Sequence, residues 1–413
     1  MTSFTVNDRT YAAPDRPVVA ICLDGSADEY FDAALDRGQM PNLQKLNVTG
    51  YRGLARGQMP SFTNVNNASI VTGVPPAIHG IGGNYFYDTA SGEEVMTNSA
   101  KFLRVETIFP SAQKAGRKVA VVTAKDKLRD IFASGLISLG GIAFSSEKAN
   151  QVTRAIHGIE NLETLVGPTP AIYSGEASLY VLKAGVKLIE NGSADFLYLS
   201  TTDFMQHKFA PAAPESLEFY AEIDRQLGRL LELGAVVGMT ADHGMNAKQR
   251  PDGSPNVIYL ESTLENQFGP GFRVILPITD PYVAHHGALG SFAQVHLPPG
   301  QEELLSPVVH FIRKLPGMTE VLDQATAARL MELPRDRMGD LVACSGRDVV
   351  IGRTPEWHDL KAIEGGLRSH GGRYEEMVPF VFSAPLNPEY SARAKGDPRN
   401  FDLFDFLCNG TKS

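Results

Sequence analysis

Three aspartates stand where chemistry could be done, each at the end of a short apolar run. PVVAICL (17–23) leads into Asp24-Gly25, DFLYLST (195–201) leads into Asp203, and AVVGMTA (235–241) leads into Asp242-His243-Gly244. Histidines accompany two of them. His207 follows Asp203 by four residues in D-F-M-Q-H, and His243 is adjacent to Asp242. A separation of four places two side chains on one face of a helical turn, where both can grip one cation. His370 lies in R-S-H-G-G, whose glycines permit close backbone approach. Carboxylate oxygens mixed with imidazole nitrogens, and no thiolate, suit zinc in a catalytic shell that keeps a position open. Six such residues suffice for two ions of three protein ligands each. Aspartate also ends strands because it favours turns and helix N-caps. Three together, two with histidines attached, outweigh that explanation.

The segment MPSFTNVNNASIVTG (59–73) passes from polar to helix-like around Thr63. A hydroxyl at a helix N-terminus meets unsatisfied N–H groups and the positive end of the dipole, a place suited to a phosphoryl group. Ser61, Thr63 or Asn64 would equally serve as a plain N-cap. With two cations nearby, Thr63 becomes a credible nucleophile. Lys125 and Lys127 follow the apolar run KVAVVTA (118–124). Their spacing of two lets both face one side of an extended segment, where two ammonium groups suit a small di- or trianionic substrate.

These residues need elements to hold them. The four apolar runs are short, rich in β-branched residues and bounded by turn formers, so they read as strands buried on both faces. Between them, 176–192 and 215–234 repeat apolar positions at three and four and close on Gly192 and Gly234, as helices do. Strands alternating with helices build βαβ units, hence an α/β protein with a mostly parallel sheet whose strand ends share one ligand-binding edge. From 246 to 300 the chain turns rich in Gly, Pro and Asn, and VIYL, FRVIL and FAQVHL read as antiparallel strands. A helix-like stretch over 301–332 follows, then DLVACSGRDVVIG as two more strands, and MVPFVFSA (377–384) returns to the main sheet. The expected organisation is a catalytic core over 1–245 and 359–413 with an inserted α+β cap over 246–358.

The ordered set of D-G after the first strand, P-S-F-T-N before a helix, T-G-V-P-P-A-I-H-G-I, D-x-x-x-H, A-D-H-G-M and S-H-G-G resembles the alkaline phosphatase superfamily. The likeness runs over roughly 17–245 and 360–385. It is greatest to the branch of nucleotide pyrophosphatase/phosphodiesterases and phosphonoacetate hydrolases. The resemblance implies two zinc ions per subunit. Asp203, His207 and His370 would bind one, and Asp24, Thr63, Asp242 and His243 would surround the other, with Thr63 the nucleophile. His79 would shape the core loop. The stretches S-F-T-N-V-N-N, G-G-N-Y-F-Y-D and T-A-K-D-K-L are most similar to the phosphonate-cleaving members. That implies hydrolysis of the carbon–phosphorus bond of phosphonoacetate through a phosphothreonine. Asn84 would contact a phosphoryl oxygen, Lys125 and Lys127 would hold the substrate carboxylate, and Thr63 and His207 would also touch substrate. The resemblance further implies a homodimer. The alternative is a phosphodiesterase or nucleotide pyrophosphatase, which would want an aromatic pocket for a base; Phe62, Tyr85 and Phe86 are the candidates. A phosphomutase on the same core would isomerise its substrate without releasing phosphate.

Composition narrows the rest. With 38 Lys and Arg against 47 Asp and Glu, the net charge of −9 speaks against a nucleic-acid partner. No stretch approaches the roughly 20 apolar residues needed to span a bilayer. The polar start MTSFTVNDRT lacks the apolar region of a secretory signal. Cys22, Cys344 and Cys408 are an odd number in unrelated settings, which suits a reducing compartment, and a cytoplasmic protein is expected. His157, His285, His286, His296, His310 and His358 have no comparable context, and adjacent His285-His286 reads as a packing or surface pair. Arg347, Asp348 and Arg353 read as surface charge, and Trp357 has no evident partner.

Overall fold

The computed structural model describes residues 2–278, 288–363 and 365–411, so the His285-His286 pair lies outside the described residues. Seven strands form the main sheet: β1 (Val18–Cys22), β2 (Tyr51–Arg56), β3 (Val119–Thr123), β4 (Ile142–Ser145), β5 (Phe196–Ser200), β6 (Val236–Thr240) and β7 (Met377–Phe382). Their order is β2-β7-β6-β1-β5-β3-β4. From β6 to β4 every neighbour is parallel, while β7 runs antiparallel to β6 and β2. The return strand is therefore the reversed one in an otherwise parallel sheet.

Every residue of β1, β3, β5 and β6 is buried, which is why their sequences are continuous apolar runs rather than alternating ones. Successive residues serve opposite faces. Val18, Ala20, Val121 and Tyr198 join one hydrophobic cluster, and Val19, Ile21, Val122 and Leu199 join the other. Helices α1 (Thr63–Thr72) and α2 (Asp126–Phe132) pack into the first cluster through Ile70, Val71 and Leu128. Helices α3 (Gly175–Glu190) and α5 (Pro214–Glu232) pack into the second through Leu182 and Leu227, with the short α4 (Phe204–Lys208) between them in sequence.

Residues 246–358 build a second, antiparallel sheet in the order Arg273–Ile275, Phe292–His296, Leu341–Ser345, Met318–Asp323. Its hydrophobic cluster draws in Met59, Phe62 and Val65 from the segment that carries Thr63. Two expectations fail here. Val257–Tyr259 pairs in parallel with Val350–Gly352 instead of joining the antiparallel sheet. The 301–332 stretch is not one helix: it holds Leu305–Ile312, the strand Met318–Asp323 and the helix Gln324–Leu330. Pro316-Gly317 breaks it, since proline lacks the N–H and cannot continue a helix. Among the described residues no helix is long and apolar enough to cross a membrane.

Candidate active site

The parallel register aligns Thr240, Cys22, Ser200 and Thr123 in one row across β6, β1, β5 and β3. Two or three residues beyond that row lie Asp242, Asp24, Asp203 and Lys125. Residues scattered over more than a hundred positions thus meet at one edge because the strands beneath them end together. Gly25 turns with φ +70°, and a Cβ there would lie 2.8 Å from the Cβ of Asp203, so only glycine lets these two loops approach.

The acidic and imidazole side chains fall into two buried groups, Asp203/His207/His370 and Asp24/Asp242/His243, with the donor atoms of each within 4.8 Å of one another. Asp203 is the N-cap residue of α4, and the helical turn brings His207 Nε2 to 2.9 Å from its Oδ2. His370 Nε2 lies 3.7 Å from the same oxygen. Each imidazole donates its Nδ1–H to a backbone carbonyl: His207 to Arg368 (2.8 Å), His370 to Ser61 (2.7 Å) and His243 to Gly244 (2.9 Å). That fixes the tautomer and leaves Nε2 with the ligating lone pair. The His243 and His370 rings stack 3.5 Å apart at 5°, so the two groups share a wall. Gly371 allows this: a Cβ there would run into the Phe62 ring.

The donor set fits a pair of divalent cations on one observation above all. Asp24 is fully buried and neither carboxylate oxygen has a hydrogen-bond partner among the described residues. His243 Nε2 comes within 3.3 Å of Asp24 Oδ1, but with its proton on Nδ1 it offers a lone pair to a lone pair. Only a proton or a cation between them resolves the contact. Burial, with Asp203 and Asp242 nearby, pushes the Asp24 carboxyl well up. Burial opposes the charged form of His243, yet Asp242, Asp24 and Asp203 outweigh it and push the imidazole up to about 10. Burial likewise works against ionised Asp203, but His207, Lys125 and His370 prevail and hold it well below the usual carboxylate range. Burial and the neighbouring His243 and His207 keep His370 well down.

Helix α1 begins at Thr63, with Phe62 as N-cap and no side-chain cap. None of the three candidate caps fills that role: Ser61 Oγ donates to the Gly372 carbonyl (3.0 Å) and Asn64 Nδ2 to the Thr97 carbonyl (3.0 Å). Thr63 Oγ1 instead sits 3.3 Å from His243 Nε2. Asn84 Oδ1 accepts the Asn64 backbone N–H (3.1 Å), which ties it to the same helix start. Lys125 and Lys127 do not share one extended segment: the backbone is extended at Lys125 but helical from Asp126 on. Lys125 is the N-cap residue of α2 and Lys127 lies in its first turn, where Asp126 favours helix initiation. Both still line one cavity of about 510 Å³, with Asn98, Ile172 and Tyr173. Lys125 Nζ reaches to 3.9 Å from Asp203 Oδ1.

Other expectations sort differently. Phe62 is fully buried between Phe292 and His370, and Phe86 is buried against Phe102 with the Arg337 guanidinium over it, so neither can stack on a nucleobase. Arg353 is not surface charge. It pairs with Glu94 and Glu261 and lies 4.1 Å over Trp357, which thereby has a partner. His79 accepts the Ile81 N–H at Nδ1 (3.1 Å) and bonds Ser69 (2.8 Å), and burial pushes it down to about 3, so it holds the loop as a neutral group. Two features had no signal in the sequence. Asn67, in an ordinary polar run, joins Thr63 to Asp242. The fully buried pair Lys248–Glu375 (2.8 Å) clips together the loops that carry His243 and His370.

A family model described as type I phosphodiesterase / nucleotide pyrophosphatase matches residues 18–373. Crystal structures of phosphonoacetate hydrolase from Sinorhizobium meliloti 1021, in complex with phosphonoformate and with phosphonoacetate, are 47% identical to this chain. Each match covers 98% of both chains at a TM-score of 0.92. Murine ectonucleotide pyrophosphatase / phosphodiesterase 5, 17% identical over 95% of this chain and 94% of that one at a TM-score of 0.62, shares the fold. Venom phosphodiesterase of Naja atra is 26% identical over 247 residues, 56% of this chain and 26% of that protein. The chain therefore spans about a quarter of the length of that curated relative.

Proposed function

The chain belongs to the type I phosphodiesterase / nucleotide pyrophosphatase family, and from there we propose that it cleaves the carbon–phosphorus bond of phosphonoacetate to give acetate and phosphate. One observation carries the reading: a single sheet edge holds two Asp/His groups, a helix-start hydroxyl and two ammonium groups. The likeness to a hydrolase crystallised with phosphonoacetate supports the choice of substrate.

In this reading Asp203, His207 and His370 would hold one Zn²⁺, and Asp24, Thr63, Asp242 and His243 would hold the second. Bound there, the two cations would neutralise the phosphonate oxygens and lower the pKa of a hydroxyl or water. Thr63 Oγ bonds to phosphorus as the P–C bond breaks, leaving the phosphoryl group on threonine. The electron pair of the broken bond moves onto the carbon and spreads into the adjacent carboxylate as an enolate-like species. Lys125 and Lys127 stabilise that charge, which explains why a carboxylate must sit beside the phosphonate carbon. The carbon then takes up, through solvent, the proton that the Thr63 hydroxyl gave up, and leaves as acetate. Asn84 donates to a phosphoryl oxygen from Nδ2, and His207 borders the substrate. Attack of water on the phosphothreonine returns the Thr63 hydroxyl and phosphate. We take residues 246–358 as a cap on a core of 1–245 and 359–413. Three free, buried cysteines accord with a reducing, cytoplasmic setting.

Incubating Zn²⁺-loaded protein with phosphonoacetate should release phosphate and acetate one for one, and a chelated sample should release neither. Folded protein carrying two zinc ions that releases no phosphate would overturn the proposal. Hydrolysis of a nitrophenyl phosphodiester in its place would then favour the diesterase, against the burial of Phe62 and Phe86.

A further inference from the structure

We propose that Asn67 is a positioning residue whose side-chain amide fixes the nucleophile helix and the Asp242 carboxylate in one arrangement. Asn67 is fully buried on α1, one turn after Thr63. Its Nδ2 donates to the Thr63 carbonyl (3.1 Å) and to Asp242 Oδ2 (2.9 Å). Its Oδ1 accepts from the Tyr198 hydroxyl (2.6 Å) and Ser200 Oγ (3.0 Å). A carbonyl and a carboxylate can only accept, so the amide fits one way round, and both of its hydrogens and both oxygen lone pairs are used. Three elements converge on this one group: α1 with Thr63, β5 with Tyr198 and Ser200, and the turn after β6 with Asp242.

The consequence for the site follows from a contrast between its two carboxylates. Asp242 Oδ1 accepts the Gly25 and His243 N–H groups (3.2 and 3.0 Å), and Oδ2 accepts from Asn67, so neutral donors frame both oxygens. Among the described residues Asp24 has no such frame. Of the two carboxylates in the Asp24/Asp242/His243 group, Asp242 is therefore the fixed one, and Asn67 sets its distance from Thr63. Its role is to hold, and it touches no reacting atom.

The inference rests on the two-cation reading, and the test separates the two. Zn²⁺ binding to the full chain is measured by competition with a chromophoric chelator, beside kcat, KM and Tm. Asn67→Asp keeps the size but turns acceptor oxygens toward the Thr63 carbonyl and Asp242. Asn67→Leu removes the bonds. Each should weaken one of the two Zn²⁺ ions and lower kcat by about ten- to a hundredfold, with the other ion and KM nearly unchanged. Asn67→Asp should be the worse of the two, an order that packing alone does not predict. Tyr198→Phe with Ser200→Ala, which leaves Asn67 in place, should give a smaller loss of the same kind and add little on top of Asn67→Leu. If the Asn67 variants do not fold, the Tyr198/Ser200 pair decides. Wild type binding fewer than two Zn²⁺ would refute the two-cation reading. Two ions in wild type with unaltered affinity in the variants, or equal weakening of both ions, would overturn the inference.

Discussion

Asparagine in place of Asp24 should change stability in opposite directions with and without cations. In the cation-free chain Asp24 is buried and crowded by Asp203 and Asp242, and among the described residues only His243 Nε2, 3.3 Å from Oδ1, answers it. An uncompensated buried charge costs several kcal/mol, and the chain lowers that cost by keeping a proton on the group. A carboxyl whose folded pKa lies above its unfolded value of about 4 loses stability as pH rises from that value through the folded one. Asparagine carries no such loss, so the advantage of chelated Asp24→Asn over chelated wild type should grow as pH rises from about 4 toward the raised folded value. Cations reverse the order. At a hundredfold excess over Kd each ion adds about 2.7 kcal/mol. A chain of 413 residues unfolds with an entropy of about 0.9 kcal/mol/K, so each ion is worth about 3 °C in Tm. Thermal melts in Zn²⁺ and in chelator read this directly. Wild type should fall by about 6 °C on chelation and the variant by about half that, with the chelated variant melting above chelated wild type. A variant melting below wild type in chelator at pH 8.5 would show that the His243 contact outweighs the cost of burying Asp24, and the reasoning would fall. A wild type indifferent to chelator would end the cation argument altogether.

Thr63→Ala should still bind two Zn²⁺ yet lose turnover by several orders of magnitude; a near-normal rate in steady-state phosphate release would remove it as nucleophile. Lys125→Met and Lys127→Met should each cut kcat/KM for phosphonoacetate far more than for an aryl phosphate monoester that lacks a carboxylate, and equal losses on both substrates would dismiss carboxylate recognition. Lys248→Met alone should destabilise by about 3–5 kcal/mol in urea unfolding, because it strands the buried Glu375 carboxylate 2.8 Å from where the ammonium stood. Combining it with Glu375→Leu should restore part of that loss, whereas additive losses would mean the two do not act as a pair. The three cysteines are buried and burial raises each thiol, so native protein at pH 8 should resist a thiol reagent and expose three reactive groups in denaturant.

The edge of the sheet could be read from the sequence because a parallel strand buried on both faces writes an uninterrupted apolar run. The residue type at its end then says which side chains will meet. Asp24, Asp203 and Asp242 are visible for that reason. His207 is visible because a four-residue spacing means the same thing in any helical turn. Lys125 and Lys127 show the limit of spacing: two apart is one face of a strand, but the chain had already turned into α2, so they share a cavity by a different geometry. The Val257–Tyr259 run gave no hint of its parallel partner, since strand direction leaves no mark in a three-residue pattern. Asn67 was invisible for a different reason. Its partners Tyr198 and Asp242 lie 131 and 175 residues away, and an amide in a polar run looks like any helix surface. Arg353 misled in the same way, because its charge is answered by Glu94, 259 residues earlier.

The start of α1 is gripped from three directions, and this decides what the 246–358 segment does for the chemistry. From the main sheet, Asn67 binds the Thr63 carbonyl to Tyr198, Ser200 and Asp242. From the loop after the short strand Arg368–Ser369, the Ser61 carbonyl receives His370 Nδ1–H, while Ser61 Oγ and N–H bond to the Gly372 and Gly371 carbonyls. From the second sheet, Phe292 packs on Phe62, which in turn packs on His370. Removing residues 246–358 would therefore disturb the site itself. It would take away the wall against which Phe62 holds His370, and with it Lys248, the cation that keeps Glu375 under Gly244 and Gly372. A segment that merely closed over bound substrate could be shortened at a cost in KM alone. One that supports His370 and the Thr63 helix from behind must cost cation affinity and kcat together.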